Sequence, residues 1–146
     1  MGKNVIWSII ISIFLVACNT VKTNKQASVS EQLDGAWELN YITGPRITFD
    51  GLYPNKKPTI VFDLKENRFS GNNSCNSYTG GLNIEGDKIN FKSPMAVTKM
   101  MCVDSKGETI YMSSLDKIDS YTVSADGKTL SFLMGDTTMM RFGKKM

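Results

Sequence analysis

The residues best equipped for chemistry are three cysteines, at positions 18, 75 and 102, in a chain with no histidine. Thiolates are nucleophiles, metal ligands and redox centres. The missing imidazole removes the commonest general base, the usual catalytic triads and most zinc or copper(II) sites. Cys75 lies within Gly71-Asn72-Asn73-Ser74-Cys75-Asn76-Ser77-Tyr78-Thr79-Gly80, a run of turn formers and small polar side chains between apolar stretches. Cys102 closes Met100-Met101-Cys102, 27 residues further on. In an oxidising compartment the simplest state of such a pair is a disulfide, which would stabilise the fold by about 3.5 kcal/mol. Two unbonded buried thiols are the alternative, because pairing cannot be read from spacing alone.

The loop around Cys75 has two readings. Asn73, Ser74, Asn76 and Tyr78 are adaptable hydrogen-bonding residues and make a candidate binding loop. Asparagine and serine side chains can equally satisfy the loop's own backbone, and that structural reading is the preferred one. The methionines at 95, 100, 101, 112, 134, 139 and 140, with two thiols, raise the possibility of Cu(I) binding or thiol-redox sensing. No Met-x-x-Met repeat recurs, so core filling is the plainer explanation. Glu38, Asp50 and Asp63 are carboxylates whose spacing does not argue for a paired acid–base site. No catalytic, metal or cofactor residue is assigned.

The N-terminus reads as an export signal. Lys3 is its positive region, Val5 to Val16 its apolar run, and Leu15-Val16-Ala17-Cys18 its end. That run falls short of the ~20 residues a spanning helix needs. A small residue directly before cysteine, after Leu and Val, resembles a bacterial lipobox. The resemblance implies cleavage of residues 1–17 and a lipid on Cys18, so that the membrane is the first partner. Residues 18–32 are polar and aperiodic, a flexible tether with a reach of roughly 20 Å. Residues 33–146 make one domain. With 17 Lys+Arg against 14 Asp+Glu, interspersed, nothing suggests a nucleic-acid partner.

The elements that must position the cysteines are short and mostly extended. Leu33 to Ile42 alternates, with Trp37, Leu39 and Tyr41 on one side. Thr43 to Lys57 holds Pro45, Gly51 and Pro54 and reads as a long loop whose Phe49, Leu52 and Tyr53 cover an edge of the core. Strands follow at Pro58–Asp63 and Arg68–Gly71, then a hairpin over Gly81–Glu85 and Lys88–Phe91. Asp104 to Ile118 changes period: Ile110, Met112, Leu115 and Ile118 recur at helical spacing, with Asp104 or Ser105 as cap and Glu108 favoured in the first turns. A three-stranded meander from Ser120 to Phe142 closes the chain. The fold class is therefore mainly β (α+β): a small curled, barrel-like antiparallel sheet with one helix.

These residues resemble a known pattern. Gly35-x-Trp37-x-Leu39, Thr59-x-x-Phe62-Asp63, Phe69-Ser70-Gly71-x-x-x-Cys75-Asn76-x-Tyr78-x-Gly80, Thr98-x-Met100-x-Cys102 and Arg141-Phe142 are similar to the META domain of bacterial HslJ-like heat-shock lipoproteins. The sequence departs from that pattern at Met101, where alanine is usual, at Ser74, where glycine is usual, and in the helix at Glu108-Thr109-Ile110-Tyr111-Met112. The resemblance implies a small antiparallel barrel with one helix in the periplasm or at the outer membrane, associated with stress tolerance, motility or secretion, and resistance to some antibiotics. It implies no enzymatic activity. The expected role is that of a non-catalytic, lipid-anchored envelope protein acting through a protein partner of unknown identity.

Overall fold

The structure, a computed structural model, describes residues 30–103 and 105–146. The signal segment, Cys18, most of the tether and the capping residue Asp104 lie outside the described residues. Residues 30–33 form one helical turn that buries Leu33 completely.

Ten strands make a single antiparallel sheet: β1 (Gly35–Ile42), β2 (Thr59–Asp63), β3 (Arg68–Asn72), β4 (Ser77–Gly81), β5 (Asn83–Glu85), β6 (Lys88–Asn90), β7 (Ala96–Val97), β8 (Ser120–Val123), β9 (Thr129–Met134) and β10 (Thr137–Lys144). Their spatial order is β5-β6-β8-β9-β10-β1-β2-β3-β4-β7. Strands β4 and β5 stand near opposite ends of that order, yet only Leu82 separates them in sequence. One residue cannot span a flat sheet of this width, so the sheet must curl until its ends meet. Leu82 is buried at that seam, its N–H donating to the Asn67 carbonyl at 2.9 Å. This is the curled mainly-β architecture expected from the sequence.

Six rings fill the inside of the curl as a closed circuit. Successive centroids lie 5.0 Å apart from Phe69 to Phe91, 5.4 Å to Phe132, 5.0 Å to Phe142, 6.5 Å to Tyr111, 5.9 Å to Tyr78 and 6.2 Å back to Phe69. All six are buried. Tilted and edge-on pairs of this kind contribute about 0.5–1.5 kcal/mol each beyond the area they bury. Five of the rings come from the sheet and its loops. Tyr111 comes from helix α2 (Lys106–Leu115), which packs Gly107 against Leu52 and Tyr53.

Several details depart from the sequence reading. Strand β1 does not keep Trp37, Leu39 and Tyr41 on one face. A bulge at Asn40 inserts one residue opposite β10, because Leu39 pairs with Phe142 and Tyr41 with Arg141. Beyond it Ile42 points inward, while Tyr41 is exposed beneath the Arg141 guanidinium, 5.0 Å from its ring. The expected loop from Thr43 to Lys57 contains one helical turn, α1 (Phe49–Leu52), capped by the Thr48 hydroxyl. Helix α2 is shorter than expected, and its buried stripe is Gly107, Tyr111, Ser114 and Leu115, with Ile110 and Met112 only partly covered. Gly107 is there for space: a Cβ would sit 2.7 Å from the Tyr53 ring, whose hydroxyl donates to the Gly107 carbonyl at 3.0 Å.

Candidate functional site

The loop around Cys75 is tighter than the sequence suggests. Strands β3 and β4 extend to Asn72 and from Ser77, leaving a four-residue turn, 73–76. Gly71 lies in β3, as expected, and Gly80 in β4 rather than in the turn. The left-handed conformation falls instead on Ser74, with φ at 93°. The turn is built from its own asparagines. Asn73 Oδ1 accepts from the N–H groups of Cys75 (3.2 Å) and Asn76 (2.7 Å), and Asn72 Oδ1 accepts from Ser74 N–H (2.9 Å). Such side chain-to-backbone bonds replace the ladder where the chain reverses.

Asn76 then ties the turn to the rest of the molecule. Its Oδ1 accepts from the Thr98 hydroxyl (2.8 Å) and the Met100 N–H (2.7 Å), fixing the segment that carries Cys102. Its Nδ2 donates to Glu108 Oε1 at 2.9 Å, and Asn73 Nδ2 donates to the same oxygen at 3.0 Å. Glu108, in the first turn of α2, is thus the acceptor on which both amides converge. Sequence reasoning placed Glu108 there for the helix dipole and missed this role; no spacing signals which loop a helix's first turn will face.

Cys75 and Cys102 form a disulfide with their Cα atoms 6.2 Å apart, within the usual range. Asn76 Nδ2 lies 3.6 and 3.7 Å from the two sulfurs, and Glu108 Oε2 lies 3.8 Å from Cys102 Sγ. Among the described residues, Cys75, Cys102 and Glu108 are the one group of cysteines and carboxylates that converges, all within 4.8 Å and all half-buried. A cleft of about 450 Å³ opens beside them, lined by Leu52, Pro54, Ser74 and Met100 as well as the cysteines. Past it the chain is bare: Met100 is 61% exposed, and Met101 and Val103 wholly so.

The four loop residues separate by environment. Asn73, Asn76 and Tyr78 are buried and hydrogen-bonded within the protein, and only Ser74 is partly open. Tyr78 belongs to β4, with its ring inside the curl. Its hydroxyl donates to the Thr59 carbonyl at 2.8 Å, so the 2.6 Å contact with Tyr111 must be a bond donated by Tyr111. Burial pushes both phenols well above the usual tyrosine range, and Tyr53, beside them, up to about 12. The carboxylates noted in the sequence do not meet: Glu38 pairs with Lys145 at 3.2 Å, Asp63 with Arg68 at 3.9 Å, and Asp50 sits on α1.

The model of the META domain matches residues 30–146, the whole described fold from its first helical turn to the last residue. The chain belongs to the META domain family. No curated protein matches it. Among solved structures, an NMR structure of a protein from Burkholderia xenovorans is similar at 19% identity and a TM-score of 0.64, covering 83% of this chain and 88% of that one. A DUF4847 family protein from Bacteroides vulgatus, solved by crystallography, is similar at 16% identity and a TM-score of 0.51, covering 80% and 98%. At such identities the likeness is one of fold. The META signature now has a physical content: its Cys-Asn, Tyr and Met-x-Cys positions are here the disulfide, the amide that holds both of its flanking segments, and the phenol over β3.

Proposed function

We propose that this META protein is a non-catalytic, lipid-anchored component of the cell envelope, a stress-related module that works by binding another protein. In this reading lipid on Cys18 holds the chain at the membrane, residues 18–32 give it reach, and the loop from Met100 to Val103 meets the partner. The observation that carries the reading is that loop. Met101 and Val103 are fully exposed apolar side chains on a segment pinned at Asn76 and at the disulfide. Rigid, exposed apolar residues lose little entropy on contact and are costly to leave in water. The interior, by contrast, is filled by buried aromatic and aliphatic side chains and offers little to a ligand.

The Cu(I) alternative draws less support from the methionines. Met140 is enclosed in the core and Met134 and Met139 stand on β9 and β10, so Met100 alone lines the cleft with the two cysteines.

Two measurements test the proposal. A photo-crosslinking residue at Met101 in intact cells should give a protein adduct of defined mass, and the same residue at Tyr41 should not. Equal labelling at both positions, or none at Met101, would sink the interaction loop. Metabolic labelling with a fatty acid should mark the wild type and not C18A; an unlabelled wild type removes the anchor.

A further inference from the structure

The group formed by Cys75, Cys102 and Glu108 is arranged for more than a staple. Glu108 accepts both asparagine amides through Oε1, which leaves Oε2 directed at Cys102 Sγ, 3.8 Å away. Fixing one carboxylate oxygen by outer hydrogen bonds while the other faces a sulfur is the way metal ligands are commonly oriented. The sulfurs are half-buried and border the cleft of about 450 Å³, so a small reductant or a hydrated ion can reach them.

We infer that reduction of this disulfide creates a zinc-class metal site, with Cys75 and Cys102 as thiolate ligands and Glu108 Oε2 as the third. Reduction consumes two electrons and two protons, supplied by a dithiol reductant that is itself oxidised to a disulfide. The S–S bond breaks and two thiols form. Binding of a divalent ion then releases both thiol protons to solvent. The donor set decides the metal: two sulfurs with one hard oxygen suit Zn²⁺, which takes three protein ligands and a fourth, open position, whereas Cu(I) would leave the oxygen unused. The geometry allows it. Zn–S bonds of about 2.3 Å place tetrahedral sulfurs about 3.8 Å apart, against about 2.05 Å in a disulfide. Rotation of the two side chains can supply that opening without moving Cα atoms that stand 6.2 Å apart. The same residues thus offer two exclusive states, a covalent link under oxidising conditions and a metal link under reducing ones.

The test uses the full chain purified in detergent, reduced with a phosphine that is then removed without air. Co²⁺ serves as the spectroscopic probe and Zn²⁺ is measured by competition with a chromophoric chelator. The reduced chain should bind one ion and show thiolate-to-cobalt charge-transfer absorption; the oxidised chain should show neither. E108Q, which keeps a carbonyl acceptor for the two amides, should weaken Zn²⁺ binding by at least about tenfold, and C75S/C102S should abolish it. Equal binding by the oxidised chain, or by E108Q, would overturn the site. So would loss of the far-ultraviolet sheet signal on reduction, since no arranged ligands would then remain.

Discussion

The phenol of Tyr78 lies against the backbone of Gly71, its partner across β3 and β4: a Cβ at position 71 would stand 2.6 Å from the ring carbon bearing the hydroxyl. It would be closer still to the Thr59 carbonyl that accepts from that hydroxyl. Gly71 is a packing requirement, and G71A should lower stability by about 3 kcal/mol, the upper end for overfilling a tight site. Gly81, at the end of the neighbouring strand, has nothing within 4 Å of its would-be Cβ. G81A should therefore change stability by less than about 0.5 kcal/mol. Urea unfolding of the pair checks both; equal effects would refute the assignment.

Ser74 carries a left-handed φ of 93° that a side chain adopts at a cost. S74G should raise stability by about 0.5–1 kcal/mol, the relief of strain exceeding the added freedom of the unfolded chain. A fall in the denaturation midpoint would show that the serine makes an offsetting bond.

Glu108 is the shared acceptor for two largely buried amides. E108A leaves the Asn73 amide without its acceptor and the Asn76 amide with only the weakly accepting disulfide sulfurs, and should cost about 2–3 kcal/mol. E108Q should cost less, because its carbonyl can still accept. Thermal unfolding that ranks the two variants the other way would argue that charge, rather than acceptance, is what the amides need.

Alkaline pH should weaken the fold. Tyr53 is raised to about 12 by burial, and burial raises Tyr78 and Tyr111 as well. Below about pH 10 these phenols are neutral whether folded or not. Above it the unfolded chain ionises first, so it binds fewer protons than the native state and stability falls as pH rises from about 10 through 12. Y53F should flatten part of that decline in denaturant midpoints taken across the range. An unchanged slope would mean that Tyr53 ionises as freely inside the protein as outside.

Much of the frame is legible in the residues because period and turn chemistry act locally. Ile60 and Phe62 face in and Val61 out, the Gly86-Asp87 turn joins β5 to β6, and the last meander follows its Asp-Gly and Gly-Asp signals. What was not legible depends on partners distant in sequence. The bulge at Asn40 is set by pairing with β10, a hundred residues away, and it turns Tyr41 outward. Gly80 reads as a loop glycine, yet it is a strand residue, and the missing side chains of Gly71 and Gly80 make room for Tyr78 and Phe69. Glu108 faces Asn73 and Asn76 only because α2 docks through Gly107 on Tyr53 and through Tyr111 on Tyr78, a placement no local signal carries.

The first strand of the sheet, β1, pairs with the last, β10, and the aromatic circuit is completed by Phe142 on β10. A chain emerging from a ribosome or threading through a pore with its N-terminus leading therefore lacks both the neighbour of its opening strand and the final ring until β10 is out. Most of the cooperative gain arrives in one late step. A chain terminated before β10 should be left to proteases as an open ribbon.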